Sequence, residues 1–370
     1  MQRTLPFALL FLASPALAQE ILSTEAGPVK VETLTDKLDR PWALDFLPDG
    51  RMLVTEREGQ LRIVDKSGKI STSLKGTPAV LAEGQGGLLD IAVAPDFVTS
   101  RLVYLTYSEK GDKGLSGTTL ARGKLSADES GLEGLQVIFQ QSPKVDSNKH
   151  FGSRIVFNRD GTIFVTLAER FMFDPAQDLT GHLGKIVRIN SDGSAPKDNP
   201  LLGQSNARPE IWSTGHRNIQ AAALDPKSGT LWIAEMGPLG GDELTRVEGG
   251  KNYGWPIVSY GRHYNGKDIP DPATRPEFTG SAHQWTPVIA PSGMAIYSGD
   301  LFPKWQGSLL IGGLRASAIV RVTVKDGAYV GEERLKLGAR IRDVAQGPDG
   351  AIYALTDESN GKLLRLTPAS

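Results

Sequence analysis

The chain has 370 residues, of which 39% are hydrophobic and 22% charged, and its formal net charge is −1. This composition is typical of a soluble globular protein with enough apolar material for a core, and the near-zero charge argues against a nucleic-acid partner, which a basic footprint would indicate. The chain contains no cysteine, which excludes disulfides, thiol nucleophiles, cysteine-bound zinc and iron–sulfur clusters.

Residues 1–18 have the pattern of a secretory signal peptide. Arg3 supplies a positive charge, Leu5–Leu12 is mostly apolar, and Ala16-Leu17-Ala18 forms a small-x-small cleavage site. The segment is too short to span a bilayer, and its Ala-x-Ala ending disfavours a buried N-terminal helix. We therefore expect cleavage near Ala18, a periplasmic or secreted protein, and no membrane span.

One phrase recurs along the rest of the chain: an apolar strand, a turn rich in Pro, Asp and Gly, and a second strand. Further strand-like stretches follow several copies, and long helical periodicity is absent. Repeats of about 45 to 65 residues that hold three or four strands are typical of β-propeller blades. The prediction is an all-β fold, a six-bladed β-propeller in one domain over residues 19–370, with a β-sandwich as the alternative. The copies are ALDFLPDGRMLVTE from Ala43, IAVAPDFVTSRLVYLTYS from Ile91, RIVFNRDGTIFVTLAE from Arg154, AAALDPKSGTLWIAE from Ala221, MAIYSGDLFPKWQGSLLIGG from Met294 and VAQGPDGAIYALTDE from Val344.

Polar loops between the strands mark a candidate site. In a propeller such loops converge on one central pocket, so residues far apart in sequence are expected to meet there. The spans Lys110–Asn148 and Asn252–Gln284 are interpreted as insertions that shape the rim. The candidate loops are Glu83–Gly87, Asn148–Arg154, Thr214–Gln220, Ala234–Glu243, Ala290–Gly293, Gly312–Arg315 and Ala339–Asp343.

Several catalytic classes lack their motifs. The five histidines do not pair at zinc-site spacing, no G-x-S-x-G elbow is present, and no phosphate-binding Gly-rich loop opens a helix. His150, at a loop-to-strand junction, is the candidate general base, against the alternative of a structural histidine. The neighbouring Lys149 is expected to keep its imidazole neutral.

Four arginines, Arg217, Arg315, Arg340 and Arg342, come from three different repeats. Singly, each is a candidate surface or salt-bridge residue; together in one pocket they form a site for a multiply charged anion. Arg340 and Arg342 are expected to point the same way, because side chains alternate along a strand.

The loop after the fourth phrase offers hard oxygen ligands. The carbonyls of Gly237 and Pro238 lie near Asp242, Glu243 and Tyr253 in sequence, and oxygen-only ligation selects calcium. A polar turn stabilised by an acidic cap is the alternative, and the residues alone favour it.

Taken together, these motifs resemble the glucose/sorbosone dehydrogenase family of soluble sugar dehydrogenases that depend on pyrroloquinoline quinone (PQQ), and within it the aldose sugar dehydrogenases. The resemblance covers about Leu38 to Leu366 in the correct order. It rests on EGQGGLLDIAVAPDF, HFGSRIVFNRDGTIFV, GHRNIQ, EMGPLGGDEL, KNYGWP, APSGMAIYSG and RIRDVAQGPDG.

The resemblance implies a six-bladed propeller that holds PQQ centrally, oxidises an aldose at its anomeric carbon to a lactone, and passes electrons to an external acceptor. It makes His150 the general base and Arg217 the group that stabilises charge on the quinone oxygen. Calcium on the carbonyls of Gly237 and Pro238 would polarise the quinone, and Glu243 and Tyr253 match a second, structural calcium. Arg315, Arg340 and Arg342 would bind the PQQ carboxylates. The other cofactor-binding positions implied are Gln85, Asn218, Tyr264, Gly312, Gly313, Leu314 and Ile341.

Three positions depart from the glucose-type pattern. Lys149 stands where an acid precedes the histidine, Val288 where a threonine lies near the cofactor, and Glu169 where an aspartate is common. Strict glucose specificity is therefore not expected, and the short blade insertions favour a monomer over a dimer.

Two other functions remain open. A non-catalytic propeller that binds sugar or protein has no need of His150 together with the arginines. A calcium-dependent lactonase needs a closed, carboxylate-rich metal centre and has no use for three anion-binding arginines.

Overall fold

A computed structural model describes residues 19–369, and the predicted signal peptide lies outside the described residues. Two strands come first, β1 (Gln19–Thr24) and β2 (Gly27–Leu38). The first three blades follow in chain order. The first blade contains β3 (Pro41–Phe46), β4 (Met52–Glu56) and β5 (Leu61–Val64). The second contains β6 (Leu88–Val93), β7 (Leu102–Lys110), β8 (Ser116–Leu125) and β9 (Leu132–Gln140). The third contains β10 (Gly152–Phe157), β11 (Ile163–Leu167), β12 (Lys185–Ile189) and β13 (Ile211–Thr214).

Three further blades complete the chain. The fourth blade contains β14 (Ile219–Leu224), β15 (Leu231–Glu235), β16 (Asp242–Val247) and β17 (His283–Trp285). The fifth contains β18 (Pro291–Ile296), β19 (Leu309–Gly313), β20 (Ala318–Lys325) and β21 (Ala328–Lys336). The sixth contains β22 (Ile341–Gln346), β23 (Ile352–Thr356) and β24 (Gly361–Pro368). Helical segments are short: α1 (Phe97–Ser100) and 3₁₀ turns at Asp112–Gly114, Asp174–Gln177, Pro272–Thr274 and Pro303–Trp305.

The sheets form a closed ring, which confirms the six-bladed β-propeller. The first strand of each blade contacts the first strands of both neighbouring blades, and β22 of the last blade contacts β3 of the first. The ring closes by strand pairing, because β2 lies antiparallel between β1 and β24, in register from Val29↔Pro368 to Leu38↔Gly361. The last sheet therefore has five strands, in the order β1-β2-β24-β23-β22.

The core is divided among the interfaces between blades. Six main apolar clusters are each shared by two adjacent blades; one joins Trp42 and Leu53 to Leu88 and Leu105, for example. The second strand of a blade is covered on both faces, and every residue of β4, β11, β15, β19 and β23 is buried. This explains why these strands read as continuous apolar runs in the sequence.

The first strand of every blade is irregular at the same place. The pairing with the second strand shifts register there, as between Pro41 and Ala43 in the first blade and between Ile341 and Asp343 in the last. A bulge re-aims the side chains next to it. In this ring it lies at the ends of the strands that border the central cavity.

One of the two predicted insertions is wrong. About half of Lys110–Asn148 forms β8 and β9, the two outer strands of the second blade. Its Gly, Asp and Ser residues cluster at the hairpin turns, which made the whole span look irregular. The second span, Asn252–Gln284, is largely irregular and ends in the short strand β17. No helix among residues 19–369 is long and apolar enough to cross a membrane.

Candidate active site

A cavity of about 330 Å³ lies where the first strands of the blades converge. Every blade contributes to its wall, as the predicted convergence of loops requires. The lining residues are Trp42, Arg57, Gln85, Leu89, Phe151, Gly152, Asn218, Gln220, Met236, Ala290, Leu314, Arg340, Arg342 and Asp357.

The charges in this wall are mostly positive. Arg340 and Arg342 share one carboxylate, Asp357, whose two oxygens accept from Nη2 of Arg340 and Nη2 of Arg342, each at 2.9 Å, while the Arg57 guanidinium donates to two backbone carbonyls of the loop Glu83–Gly87. Burial raises the pKa of Asp357, but the two arginines outweigh it and hold that pKa below its usual value. Three guanidiniums against one carboxylate leave a cavity suited to an anion. Arg340 and Arg342 both line it, as the alternation of side chains predicts.

The other predicted cofactor residues divide into two groups. Gln85, Asn218 and Leu314 line the cavity. Arg315 is exposed and does not line the cavity. Gly312, Gly313 and Ile341 lie in strands at positions that do not line it either. Ile341 is fully buried in an apolar cluster, and a Cβ on Gly312 would lie 2.5 Å from the Ser292 hydroxyl. The glycines thus allow close strand packing, and contact with a cofactor stays a prediction for these four positions.

His150 is buried beside the cavity, with 5% of its surface exposed. Its backbone N–H donates to the Gln85 side chain at 2.8 Å, and its Nδ1 lies 2.5 Å from Oε1 of Glu169. The carboxylate of Glu169 also accepts the backbone N–H of Phe173 at 2.7 Å, so it acts as an acceptor and Nδ1 carries the hydrogen. Within residues 19–369 no group hydrogen-bonds to Nε2, which leaves that nitrogen available as a base.

The pKa of His150 is lowered from its ordinary value. Burial is the largest cause; the hydrogen bond that His150 donates to Glu169 opposes it, and the positive charges of Arg217 and Lys149 add to it. Lys149 is the smallest of these causes, so the expectation that it keeps the imidazole neutral names a minor contributor. Its ammonium group lies over the ring of Phe171, 4.7 Å from the ring centroid. Desolvation is the main reason that His150 is neutral near pH 7.

A tightly held loop supports the His150–Glu169 pair. Arg170, Phe171 and Phe173 have positive φ angles of 60°, 61° and 66°, a conformation that non-glycine residues adopt only when their surroundings impose it. The buried guanidinium of Arg170 supplies that constraint: Nε donates to the Lys149 carbonyl at 2.9 Å and Nη1 to the Ser116 carbonyl at 2.8 Å. Arg170 thereby ties the Glu169 loop to the segment that carries His150.

Arg217 occupies the adjacent blade and is also buried. Its Nη1 donates to the carbonyls of Met236 and Gly237, both at 2.8 Å, and its Nη2 donates to the Tyr264 hydroxyl at 3.2 Å. The Arg217 carbonyl accepts the Glu169 backbone N–H at 3.0 Å, which joins the two sites directly. Its Nε is buried and has no hydrogen-bond partner among residues 19–369. An unpaired buried N–H of a cation is a position where an acceptor on a bound molecule is expected.

The predicted calcium ligands have a mixed fit. The carbonyl oxygens of Gly237 and Pro238 are hard ligands of the kind that calcium prefers, but the Gly237 oxygen already accepts from Arg217. Within residues 19–369, no three His, Asp or Glu side chains cluster as a metal site. Any cation at this loop would depend on backbone oxygens and on atoms of a bound molecule.

Glu243 and Tyr253 do not share a hydrogen bond. The Tyr253 hydroxyl accepts the backbone N–H of Glu248 at 2.9 Å and donates to the Arg246 carbonyl at 3.1 Å. Burial, followed by the negative charge of Glu235, raises the pKa of Glu243 well above its ordinary value. A buried carboxyl beside a second carboxylate is the chemistry that a cation would relieve, so Glu243 fits a metal ligand better than the Tyr253 hydroxyl does.

The floor of the cavity was missed at the sequence level. Arg154 lies under the Trp42 ring, 4.2 Å from its centroid, and bonds to Asp90 at 2.8 Å and Asp343 at 3.0 Å. Arg154, Asp90 and Asp343 come from the first strands of three different blades. Arg57, Asp357 and Trp42 line the cavity itself without having been singled out. The available signal was position in the repeated phrase: Trp42 lies in a first strand, and Arg57 and Asp357 each directly follow the second strand of their blade.

Comparison with known proteins gives a consistent result. A sequence model described as glucose/sorbosone dehydrogenase matches residues 38–365. The chain is 46% identical over 365 residues to the aldose sugar dehydrogenase YliI of Escherichia coli, covering 97% of this chain and 98% of that protein. The crystal structure of the soluble aldose sugar dehydrogenase of E. coli in the apo-form has a TM-score of 0.87 at 45% identity, covering 92% of this chain and 100% of that one. The PQQ-bound form of an aldose sugar dehydrogenase from Streptomyces coelicolor has a TM-score of 0.75 at 27% identity, covering 94% and 99%.

Proposed function

This chain belongs to the glucose/sorbosone dehydrogenase family, and from that premise we propose that it oxidises aldose sugars at the anomeric carbon to lactones, with PQQ as its redox cofactor. The observation that carries the proposal is the pairing of a neutral, carboxylate-oriented His150 with a cavity lined by three arginines. Neither feature is needed to hold the propeller together.

The residues present fit PQQ, a planar quinone with three carboxylates. Arg57, Arg340 and Arg342 offer the cations that carboxylates require, and the aromatic and aliphatic walls at Trp42 and Leu89 suit a flat ring system. Arg57 adds a third cation to the cavity wall, and a role of Arg315 in binding a carboxylate stays a prediction.

The chemistry divides between the cofactor and the chain. PQQ, when bound, accepts the hydride from the anomeric carbon. His150 removes the proton of the anomeric hydroxyl through Nε2, and Glu169 keeps the opposite nitrogen protonated so that Nε2 presents its lone pair. Arg217 offers its unpaired Nε–H to negative charge that develops nearby.

We also propose that calcium completes the centre on the carbonyls of Gly237 and Pro238. The Gly237 oxygen already accepts from Nη1 of Arg217 and has a second lone pair, so a calcium ion there would share this oxygen with the guanidinium. A second cation near Glu243 would relieve the unfavourable carboxyl pair there.

The proposal extends to the electron acceptor and the location of the protein. Reoxidation of the cofactor is proposed to use an external electron acceptor. The pattern of residues 1–18 supports export to the periplasm or medium, and the protein is proposed to act as a monomer.

The test is reconstitution. Purified protein is loaded with calcium and PQQ, and reduction of an electron-accepting dye is followed with a panel of aldoses. Dye reduction that needs both PQQ and sugar is expected, and His150→Ala is expected to abolish it while PQQ stays bound. Failure to bind PQQ would overturn the proposal and favour a binding propeller, and lactone hydrolysis without PQQ would favour a lactonase.

A further inference from the structure

A second buried pair, His216 and Glu235, repeats in the fourth blade the arrangement of His150 and Glu169 in the third. Each histidine lies just before the first strand of its blade, and each glutamate lies at the end of the second strand or two residues after it. In both pairs 19 residues separate the partners, and Nδ1 of the histidine meets Oε1 of the glutamate, at 3.1 Å for His216. The two pairs therefore occupy equivalent places in adjacent blades.

The pairs differ at Nε2 of the histidine. No group within residues 19–369 hydrogen-bonds to Nε2 of His150, whereas Nε2 of His216 lies 2.9 Å from the Ser213 hydroxyl. Since Nδ1 of His216 donates to Glu235, its Nε2 accepts from the serine. His216 is fully buried, and its ring stacks on that of Tyr253, with centroids 4.9 Å apart at 28°. Both nitrogens of His216 are thus occupied, so this histidine orients its neighbours and does not act as a base.

The second oxygen of Glu235 holds the main chain of Arg217. Oε2 accepts the Arg217 backbone N–H at 2.6 Å, and the Arg217 carbonyl accepts the Glu169 backbone N–H at 3.0 Å. The guanidinium of Arg217 donates to the carbonyls of Met236 and Gly237, which directly follow Glu235 in the chain. One glutamate therefore fixes the backbone of Arg217 against the segment that receives its side chain.

We propose that Glu235 is a positioning residue for Arg217, and that His216 and Ser213 orient its carboxyl group for this task. One oxygen of Glu235 is fixed by His216, and the other fixes Arg217. An arginine that stabilises developing charge has to be held in place before the reaction, which is the task of the residues behind it. The inference rests on the proposed function, because that function gives Arg217 its role beside the quinone.

Two substitutions at position 235 test whether an acceptor is what Arg217 needs. Glu235→Gln keeps one acceptor for the Arg217 N–H, and its amide nitrogen can donate to Nδ1 of His216 once that ring carries its hydrogen on Nε2. This change of tautomer is harmless, because the Ser213 hydroxyl can accept as well as donate. Glu235→Leu has a similar volume and no acceptor.

Kinetics of the protein loaded with PQQ and calcium give the first readout. We expect Glu235→Gln to keep kcat within about twofold of wild type, and Glu235→Leu to lose about tenfold, the effect of one hydrogen bond to a charged group. The KM for the sugar and the Kd for PQQ are expected to stay within about twofold in both variants, because Arg217 acts on charge that develops in the transition state.

The pKa of His150, followed by NMR titration of the apoprotein, gives a second readout without turnover. Burial is the main cause of its lowered pKa, Glu169 opposes it, and the positive charges of Arg217 and Lys149 add to it. Displacement of the Arg217 guanidinium would raise this pKa, whereas loss of the negative charge of Glu235 alone would lower it. We therefore expect a raised His150 pKa in Glu235→Leu and no rise in Glu235→Gln.

The two readouts separate this inference from the proposed function. A His150 pKa that is not raised in Glu235→Leu overturns the positioning role, and so does a glutamine variant that behaves like the leucine variant. A raised pKa with unchanged kcat in an enzyme that oxidises sugar overturns it as well. If the wild type oxidises no sugar, a pKa raised in the leucine variant alone supports the positioning role while the proposed reaction fails.

Two further variants complete the experiment. If Glu235→Leu does not fold, His216→Phe replaces it: a phenyl ring keeps the stacking on Tyr253 but cannot donate to Glu235, and the same directions are expected for kcat and for the His150 pKa. Glu210→Gln, in the buried His182–Glu210 pair of the third blade, is the control and is expected to change neither.

Discussion

Replacing Glu169 with glutamine removes one negative charge from the His150 pair and changes little else. The carboxylate is fully buried, with one oxygen 2.5 Å from Nδ1 of His150 and the other 2.7 Å from the backbone nitrogen of Phe173. Glutamine has the same length, but its amide nitrogen can donate to Nδ1. The imidazole can then carry its hydrogen on Nε2, where it cannot act as a base.

The size of the effect follows from the type of hydrogen bond lost. A hydrogen bond to a charged group contributes about 1.5–3 kcal/mol, and about 1.36 kcal/mol corresponds to a factor of ten in rate. We therefore expect kcat to fall roughly 10- to 150-fold in Glu169→Gln if the full interaction serves the transition state.

The pH profile tests positioning independently of rate. The Glu169 hydrogen bond raises the pKa of His150 against the larger lowering by burial. Without the charge, that pKa falls further. Since His150 works in its neutral form, activity is lost as the pH falls through its pKa, and the acid limb of the kcat/KM profile is expected to move to lower pH.

The chain supplies a matched control in a second buried His–Glu pair. Nε2 of His182 lies 2.5 Å from Glu210, but Nδ1 of His182 accepts the Ser142 backbone N–H at 2.9 Å, so neither nitrogen is free to act as a base. Glu210→Gln is expected to lower the melting temperature without changing kcat or the pH profile. The reasoning fails if Glu169→Gln keeps kcat within threefold of wild type with an unmoved acid limb, or if Glu210→Gln reduces kcat equally.

Three further predictions concern the cavity and its floor. Arg340→Ala is expected to weaken PQQ binding about tenfold through one lost charged hydrogen bond, measured by fluorescence titration; an unchanged Kd would exclude a role in binding. Arg154→Met should lower the free energy of unfolding by about 3–5 kcal/mol, because Asp90 and Asp343 lose their shared cation; a loss below about 1 kcal/mol in urea titrations contradicts a shared buried pair. Burial raises the pKa of Asp45 to about 7, so the folded chain binds this proton more tightly than the unfolded chain from about pH 4 to 7 and is progressively destabilised as the pH rises through that window. The melting temperature of Asp45→Asn relative to wild type should therefore increase from pH 4 to pH 8. A difference that stays constant over this range would refute the raised pKa of Asp45.

The fold was predictable because one physical pattern repeats. Each phrase supplies a mostly buried first strand, a turn and a second strand that is buried along nearly its whole length, and six copies specify six blades. Lys110–Asn148 was misread because β9 has mostly exposed or half-exposed residues, with only Leu132 and Phe139 buried. An outer strand that packs on one neighbour alone has a weak apolar alternation.

The site was only partly predictable, for a different reason. His150, Arg217, Gln85 and the Arg340–Arg342 pair stood out because strand packing does not require them. Arg57, Asp357 and Arg154 look like ordinary charges of turns and strands, and only the circular arrangement brings them together. The exposed position of Arg315 was equally hidden, since alternation along a strand does not determine where a side chain points after the strand has ended.

The pairing of β2 with β24 sets an order of events during biosynthesis. The strand that closes the ring needs residues 361–368, which follow all the other strands of the ring in the chain, while its partner β2 precedes every blade. Until residues 361–368 emerge from the ribosome, β2 has no strand on its inner edge, and the interface between the first and last blades has no second half. The final closure therefore follows the synthesis of all six blades. If the chain is exported, this late closure leaves it open to handling by holdase chaperones before the propeller locks.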